Sequence, residues 1–277
     1  MDRKYSVLMS VYYKENPIYL SESINSMINQ TEKTDQIVIV EDGKLTEELH
    51  EIIHKYEKDY PTLFTIVKLK ENGGLGRALN YGLEACRNEL VARMDTDDIS
   101  LADRCEKQLN AFEHCKKLCI CGTQIDEFLS SPNNLISTRK VPLRFTDIKK
   151  FAKKRSPFNH PTVMYKKSKV LSAGGYAEYG RKEDLDLFVR MVMMNFYSIN
   201  LNESLLLYRT STDNLERRKS WKNCSEYISV MFKFYRKGYL NIFDILYVVI
   251  GQVIMYSCPE TIVKYLSNKF LRSKVTN

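Results

Sequence analysis

A chain of 277 residues, 44% hydrophobic and 27% charged, has the apolar material for a sizeable core, which excludes a disordered or fibrous protein. The formal net charge is +8, and it is concentrated in the tail. From Arg217 to Asn277 eleven Lys and Arg face only Glu226, Asp244 and Glu260, so an anionic partner is expected there, either a membrane surface or a phosphorylated acceptor.

The N-terminus, MDRKYSVLMSVYY, is charged at once and lacks a long apolar run with a small-residue cleavage site, so no secretory signal is expected. Tyr5–Tyr12 is apolar, β-branched and aromatic, the composition of a strand. Leu20, Ile24, Met27 and Ile28 then fall on one helical face. Gln36–Val40 suits a strand buried on both faces, and Leu45, Leu49, Ile52, Ile53 and Tyr56 give a second amphipathic helix that stops near Pro61. Phe64–Leu69 reads as a third strand. Leu75, Leu79, Leu83 and Cys86 mark a third helix, and Leu90–Arg93 is a fourth short strand ending at Asp95.

Four strand–helix alternations with short connections predict a parallel sheet with helices on both faces. Such sheets bind ligands outside the carboxyl ends of their strands. Ser10 to Tyr13, Glu41 to Gly43 and Asp95 to Asp98 are therefore expected along one edge. Beyond Leu101 the alternation breaks down. A helix to about Cys115, a strand at Leu118–Phe128, a turn-rich stretch at Ser130–Asn134, a strand at Pro161–Tyr165, a helix at Glu183–Met194 and a strand within Tyr197–Tyr208 follow, and the remainder is helical and basic. Ile245–Cys258 is strongly apolar but too short for the roughly 20 residues of a spanning helix. With Tyr239, Tyr247 and Tyr256 and basic flanks at Lys233, Arg236, Lys237, Lys264, Lys269 and Arg272, it suits the headgroup plane of an anionic leaflet. Packing against the rest of the chain or a second subunit is the competing expectation.

Several clusters carry chemistry. Asp95-Thr96-Asp97-Asp98 places three carboxylates in four residues, which repel one another unless a cation intervenes. Hard oxygen ligands of this kind suit Mg²⁺ or Mn²⁺ held together with substrate phosphates; the alternative is a solvated acidic cap on the next helix. Glu41-Asp42-Gly43 is either an acceptor for a nucleotide's base or ribose, or an ordinary turn. Asn72-Gly73-Gly74-Leu75-Gly76-Arg77 opens a helix whose N–H groups can face a phosphate, with Arg77 adding charge, but it is neither a Walker A loop nor a dinucleotide fingerprint. Glu183-Asp184 begins an apolar helix, as a general base or as acids favoured by the helix dipole.

Two metal motifs are weaker. His50-Glu51-Ile52-Ile53-His54 matches a zinc-protease pattern, yet the helix buries Leu49, Ile52, Ile53 and Tyr56 and turns both histidines toward a charged flank. The seven cysteines, an odd number between Cys86 and Cys258, read as reduced thiols rather than a disulfide framework. Cys115, Cys119 and Cys121 lack the paired C-x-x-C of a zinc site.

In order, the runs SVLMSVYY, SINSMINQT, IVIVEDG, ENGGLGRALNYGLEACRNELVARMDTDD, NHPTVMY, GGY and EDLDLFVR resemble family 2 glycosyltransferases over about Tyr5 to Arg209. The likeness is strongest to the subset serving bacterial O-antigen, capsule and exopolysaccharide assembly. It implies an α/β chain of the GT-A fold, with residues 1–100 as the donor-binding half, 101–215 as the acceptor and catalytic half of the same domain, and 216–277 as a basic helical region. It also implies transfer of a single sugar from a UDP-sugar, with inversion, to a lipid-linked saccharide, with Mn²⁺ or Mg²⁺ as cofactor. No nucleic acid is implied. By position Ser10, Tyr12 and Asp42 would face the nucleoside. Asp95 and Asp97 would meet the ribose and diphosphate, and Asp97 or Asp98 would hold the metal. Asp184 would be the base with Glu183 beside it. The location implied is cytoplasmic, peripheral on the inner face of the membrane.

The match has departures. Tyr13 replaces the usual Asn, Glu41-Asp42-Gly43-Lys44 replaces Asp-Asp-Gly-Ser, the Gln-x-x-Arg-Trp of processive enzymes is absent, and TSTDN after Arg209 lacks the usual His. A nucleotidyltransferase would need a basic, Gly-rich loop after the first strand, and Tyr12-Tyr13-Lys14-Glu15 is not one. A non-catalytic binding module would not require the set Asp42, Asp97, Asp98 and Asp184.

Overall fold

The computed structural model describes residues 3–178, 182–210, 219–259 and 261–262. Strands β1 (Tyr5–Val11), β2 (Gln36–Glu41), β3 (Phe64–Lys68) and β4 (Leu90–Arg93) alternate with helices α1 (Pro17–Ile28), α2 (Glu47–Asp59) and α3 (Leu75–Ala85). They pair in parallel in the order β3-β2-β1-β4, as the alternation requires. β2 is buried along its whole length, so its apolar run fills both faces of the sheet.

Helix starts follow local chemistry. The Asn16 side chain accepts from the N–H groups of Ile18 and Tyr19 and is followed by Pro17, and Thr46 caps α2 ahead of Glu47 and Glu48. Leu20, Ile24 and Met27 of α1 and Leu49, Ile53 and Tyr56 of α2 are buried as the periodicity predicts.

After Asp95 the chain adds β5 (Ile99–Ser100), α4 (Arg104–His114), β6 (Ile120–Phe128), β7 (Leu135–Arg139), α5 (Phe145–Ala152), β8 (Met164–Lys166), α6 (Lys167–Ser172), α7 (Glu183–Met193) and β9 (Ser198–Arg209). These strands extend the same sheet as β4-β8-β6-β9-β5, with β7 on the edge of β6. β8 runs antiparallel to β4, and β6 and β9 run parallel to each other. One sheet therefore spans both halves of the chain. The expected strand at Pro161–Tyr165 is corrected. His160–Thr162 is a 3₁₀ turn in which Thr162 N–H donates to Asn159 O, and the strand starts only at Met164. Proline has no N–H to give a ladder, so pairing waits until it is passed.

Two core layers sandwich the sheet. One joins Leu8, Val38 and Val91 to α3, α5, α7 and the tail; the other joins Val7, Met9 and Ile39 to α1, α2 and α4. All seven cysteines are free; Cys119 packs in one layer and Cys121 in the other, which leaves no room for a shared zinc. The tail forms α8 (Trp221–Arg236) and α9 (Ile242–Ser257), packed on each other, and α9 starts with a reciprocal capping box between Asn241 and Asp244. No helix among the described residues is long and apolar enough to cross a membrane.

Candidate active site

Parallel pairing brings the carboxyl ends of β1, β2 and β4 to one edge. There Asp42 N–H donates to Val11 O at 2.8 Å and Thr96 Oγ1 to Ser10 O at 3.4 Å. Ser10 and Tyr12 are half-buried on this edge.

The β2 end is built differently from expectation. Asp42 is 3% exposed, and its Oδ1 and Oδ2 accept the N–H groups of Gly73 and Gly74 at 2.8 and 3.1 Å. Asn72 Nδ2 donates to Asp42 O at 3.2 Å. The anion received by these two glycine N–H groups is thus the Asp42 carboxylate, not an open phosphate position. Gly43 makes the fit possible: its φ is +83°, and a Cβ there would lie 2.6 Å from Asn72 N. Arg77 turns outward, with Nη1 3.4 Å from Glu71 Oε1 and its cation 5.8 Å from the centre of the Tyr81 ring.

At the β4 end the carboxylates of Asp95, Asp97 and Asp98 lie within 4.8 Å of one another. Asp98 is fully buried. Its Oδ1 accepts Arg209 N–H at 2.8 Å, whereas Oδ2 is buried with no hydrogen-bond partner among the described residues. Arg209 also donates through Nε to Asp97 O at 2.9 Å, and its cation is held between the rings of Tyr19 and Phe128 at 3.8 and 4.6 Å. Burial and the neighbouring acids hold Asp98 well above the usual carboxylate range and push Asp97 up to about 6. Glu15, in the loop after β1, is a fourth acid here; burial, Asp97 and Asp95 push it up to about 8.

Three hard carboxylates, one with a buried free oxygen, are a donor set that fits a divalent cation: an ion supplies the missing partner and removes the mutual repulsion. By contrast, His50 and His54 are exposed, near Glu41 at 3.4 Å and Glu57 at 3.7 Å. Among the described residues no third ligand joins them.

Arg93, fully buried at the end of β4, pairs through Nη2 with Asp95, and its Nε and Nη1 have no hydrogen-bond partner among the described residues. Its charge also acts on Glu183 and Asp184 at the start of α7. That start is pressed against α3, where a Cβ on Gly76 would lie 3.2 Å from Glu183 Cβ and 2.2 Å from Ala177 O. Glu183 is 7% exposed, its Oε2 is buried without a hydrogen-bond partner among the described residues, and burial with Asp184 pushes it up to about 7. Asp184 is half-buried, and desolvation raises its pKa as well. Sequence reasoning did not single out Glu15, Arg93 or Arg209 as site residues; Arg93 stands two residues before Asp95, but only folding gives the three their partners. The TSTDN run after Arg209, from Ser211, lies outside the described residues.

The family model for glycosyl transferase family 2 matches residues 6–175. An uncharacterized glycosyltransferase of Haemophilus influenzae is 38% identical over 97% of this chain and 99% of its own length. The Escherichia coli UDP-Gal:alpha-D-GlcNAc-diphosphoundecaprenol beta-1,3-galactosyltransferase is 33% identical over 97% of each chain. Two solved structures share the fold. Staphylococcus aureus TarS 1-349 in complex with UDP-GlcNAc has a TM-score of 0.61 at 18% identity, covering 97% of this chain and 73% of that one. The Pyrobaculum calidifontis mannosyltransferase PcManGT, in complex with GDP-Man and Mn²⁺, has a TM-score of 0.61 at 15% identity, covering 96% and 79%. With the GT-A architecture and the acidic strand end, the match over most of the sheet makes this chain a member of glycosyltransferase family 2.

Proposed function

We propose that the chain transfers one sugar from a UDP-sugar to a saccharide carried on a lipid diphosphate, inverting the anomeric carbon, at the inner face of the cell membrane. The observation that carries this reading is the buried, unpartnered Asp98 Oδ2 among three converging carboxylates, with a second carboxylate pair at the start of α7. Residues 1–100 bind the donor and 101–215 bring the acceptor to it. Ser10 and Tyr12 contact the nucleoside, while Asp42 and Asn72 shape that wall by fixing the glycine loop. Asp95 meets the ribose, and Asp97 and Asp98 hold Mn²⁺ or Mg²⁺. Bound there, the ion neutralises charge on the leaving diphosphate. Arg77, whose side chain lies against Gly73 and pairs with Glu71, is the cation that would turn to the donor.

Asp184 accepts the proton of the attacking hydroxyl on the face opposite the leaving group. Buried Glu183 beside it discourages a second negative charge. Such a base calls for a hydroxyl-bearing acceptor, and the 33% identical galactosyltransferase is named for a diphosphoundecaprenol-linked acceptor.

The test is a panel of nucleotide sugars assayed for UDP release with a synthetic lipid-diphosphate saccharide. Turnover lost in EDTA and restored by Mn²⁺ or Mg²⁺ is expected. Full turnover in EDTA after exhaustive dialysis refutes the metal assignment, and pyrophosphate released from UTP and a sugar 1-phosphate, with no UDP released from the panel, makes the chain a nucleotidyltransferase.

A further inference from the structure

His160 opens the 3₁₀ turn between α5 and β8, and its ring contacts Tyr176 and Phe188 at centroid distances of 5.6 and 5.7 Å. Phe188 lies four residues beyond Asp184 on α7, hence on the same helical face. The imidazole therefore packs along the face that carries the base.

Its tautomer follows from its partners. His160 Nε2 is 3.2 Å from Tyr176 Oη, and the Tyr176 hydroxyl donates to Tyr165 Oη at 3.3 Å. Having given its proton to Tyr165, Tyr176 Oη accepts from the ring, so Nε2 carries the proton and Nδ1 the lone pair. Tyr176 is itself pinned: its N–H donates to Asn80 Oδ1 at 2.8 Å, and Asn80 Nδ2 donates to its carbonyl at 2.9 Å. Burial and the Arg93 guanidinium hold His160 well below the usual imidazole range, so the ring stays neutral. Nδ1 has no hydrogen-bond partner among the described residues, and the side chain is only half-buried. A fixed, neutral, half-buried acceptor is complementary to a hydroxyl donor. A phosphate, which at neutral pH offers mostly acceptors, does not match it.

We propose that His160 is a substrate-binding residue whose Nδ1 accepts a hydrogen bond from a pyranose hydroxyl beside Asp184. The inference rests on the transferase reading above. The transferred sugar and the acceptor sugar offer the same hydroxyl chemistry, and the test separates them.

The full chain and its His160→Leu, His160→Asn and Tyr176→Phe variants are compared with UDP alone and with UDP-galactose, UDP-glucose and UDP-N-acetylglucosamine. Leu removes both nitrogens at similar volume, whereas Asn keeps an acceptor at the δ position. We expect His160→Leu to lower kcat/KM by about 10- to 100-fold, the worth of one lost hydrogen bond in a buried polar site. Affinity for UDP alone should be unchanged, and His160→Asn should recover most of the loss. Tyr176→Phe, which frees the tautomer, should fall between them. Slower acceptor-free donor hydrolysis with a raised donor KM assigns the hydroxyl to the transferred sugar; a raised acceptor KM alone assigns it to the acceptor. Wild-type kcat/KM in His160→Leu, a loss that Asn does not recover, or a parallel loss of UDP affinity overturns the proposal. A wild-type chain that neither binds nor turns over any of these donors overturns the transferase reading itself.

Discussion

Asp184 and Glu183 are adjacent carboxylates in unlike surroundings. Glu183 is wedged against Gly76 of α3, whereas Asp184 is half-buried. Both are raised by desolvation, Glu183 to about 7, so the pair holds a proton near neutral pH. A base with a raised pKa loses its accepting form as pH falls through that value. The acid limb of kcat/KM is therefore expected above the usual carboxylate range of about 4. The folded chain also binds more protons here than the unfolded chain between the ordinary and the raised pKa, so this pair's contribution to stability falls as pH rises through that window. Asp184→Asn should lower kcat by about 10²–10⁴-fold with little change in donor KM. Near-normal turnover in Asp184→Asn with an inactive Glu183→Gln reverses the two roles. At this scale the sequence was legible where acids run together, at 95–98 and 183–184. Arg93 was not, because a cation inside the run LVAR gives no sign that folding will bury it between two acid clusters.

Elements explain how those acids meet. The four strand–helix alternations were readable because each helix buries a single stripe and β1, β2 and β4 each bury a nearly continuous run. β7, α5 and α6 were not readable: they are short, and their placement is set by pairing with β6 and packing on α7. The glycines mark where elements touch. Gly76 lets the first turn of α3 approach the segment that delivers Glu183 and Asp184. Gly76→Ala, otherwise favourable for a helix, places its Cβ 2.2 Å from Ala177 O. It should cost about 1–3 kcal/mol of stability by overpacking, read from urea unfolding, and should lower kcat more than UDP affinity. Unchanged stability and kcat would mean that this contact does not set the position of α7.

For the whole molecule, charge and apolar exposure coincide in the tail. α9 buries Ile245 and Val248 against the core, yet Phe243 is 76% exposed and Tyr247 and Ile250 nearly 60%. Leu246, Val253 and Tyr256 are also exposed, so the helix is apolar beyond the stripe that packs on α8. A helix of 16 residues rises about 24 Å, short of the roughly 30 Å of a bilayer core, but can lie along an interface. Arg236 and Lys237 end α8 beside it; Lys264, Lys269 and Arg272 lie outside the described residues. Such a face, apolar along its length with Arg236 and Lys237 beside it, suits an anionic leaflet. Sedimentation with vesicles of phosphatidylglycerol and of phosphatidylcholine, at low and high salt, checks this. Binding is expected to the anionic vesicles, weaker in high salt because the basic flanks are screened, and Phe243→Asp should reduce it at both salt concentrations. A chain ending at Lys237 should not bind. Dimers in place of vesicle binding, dispersed by Phe243→Asp, would show instead that a second copy covers the face.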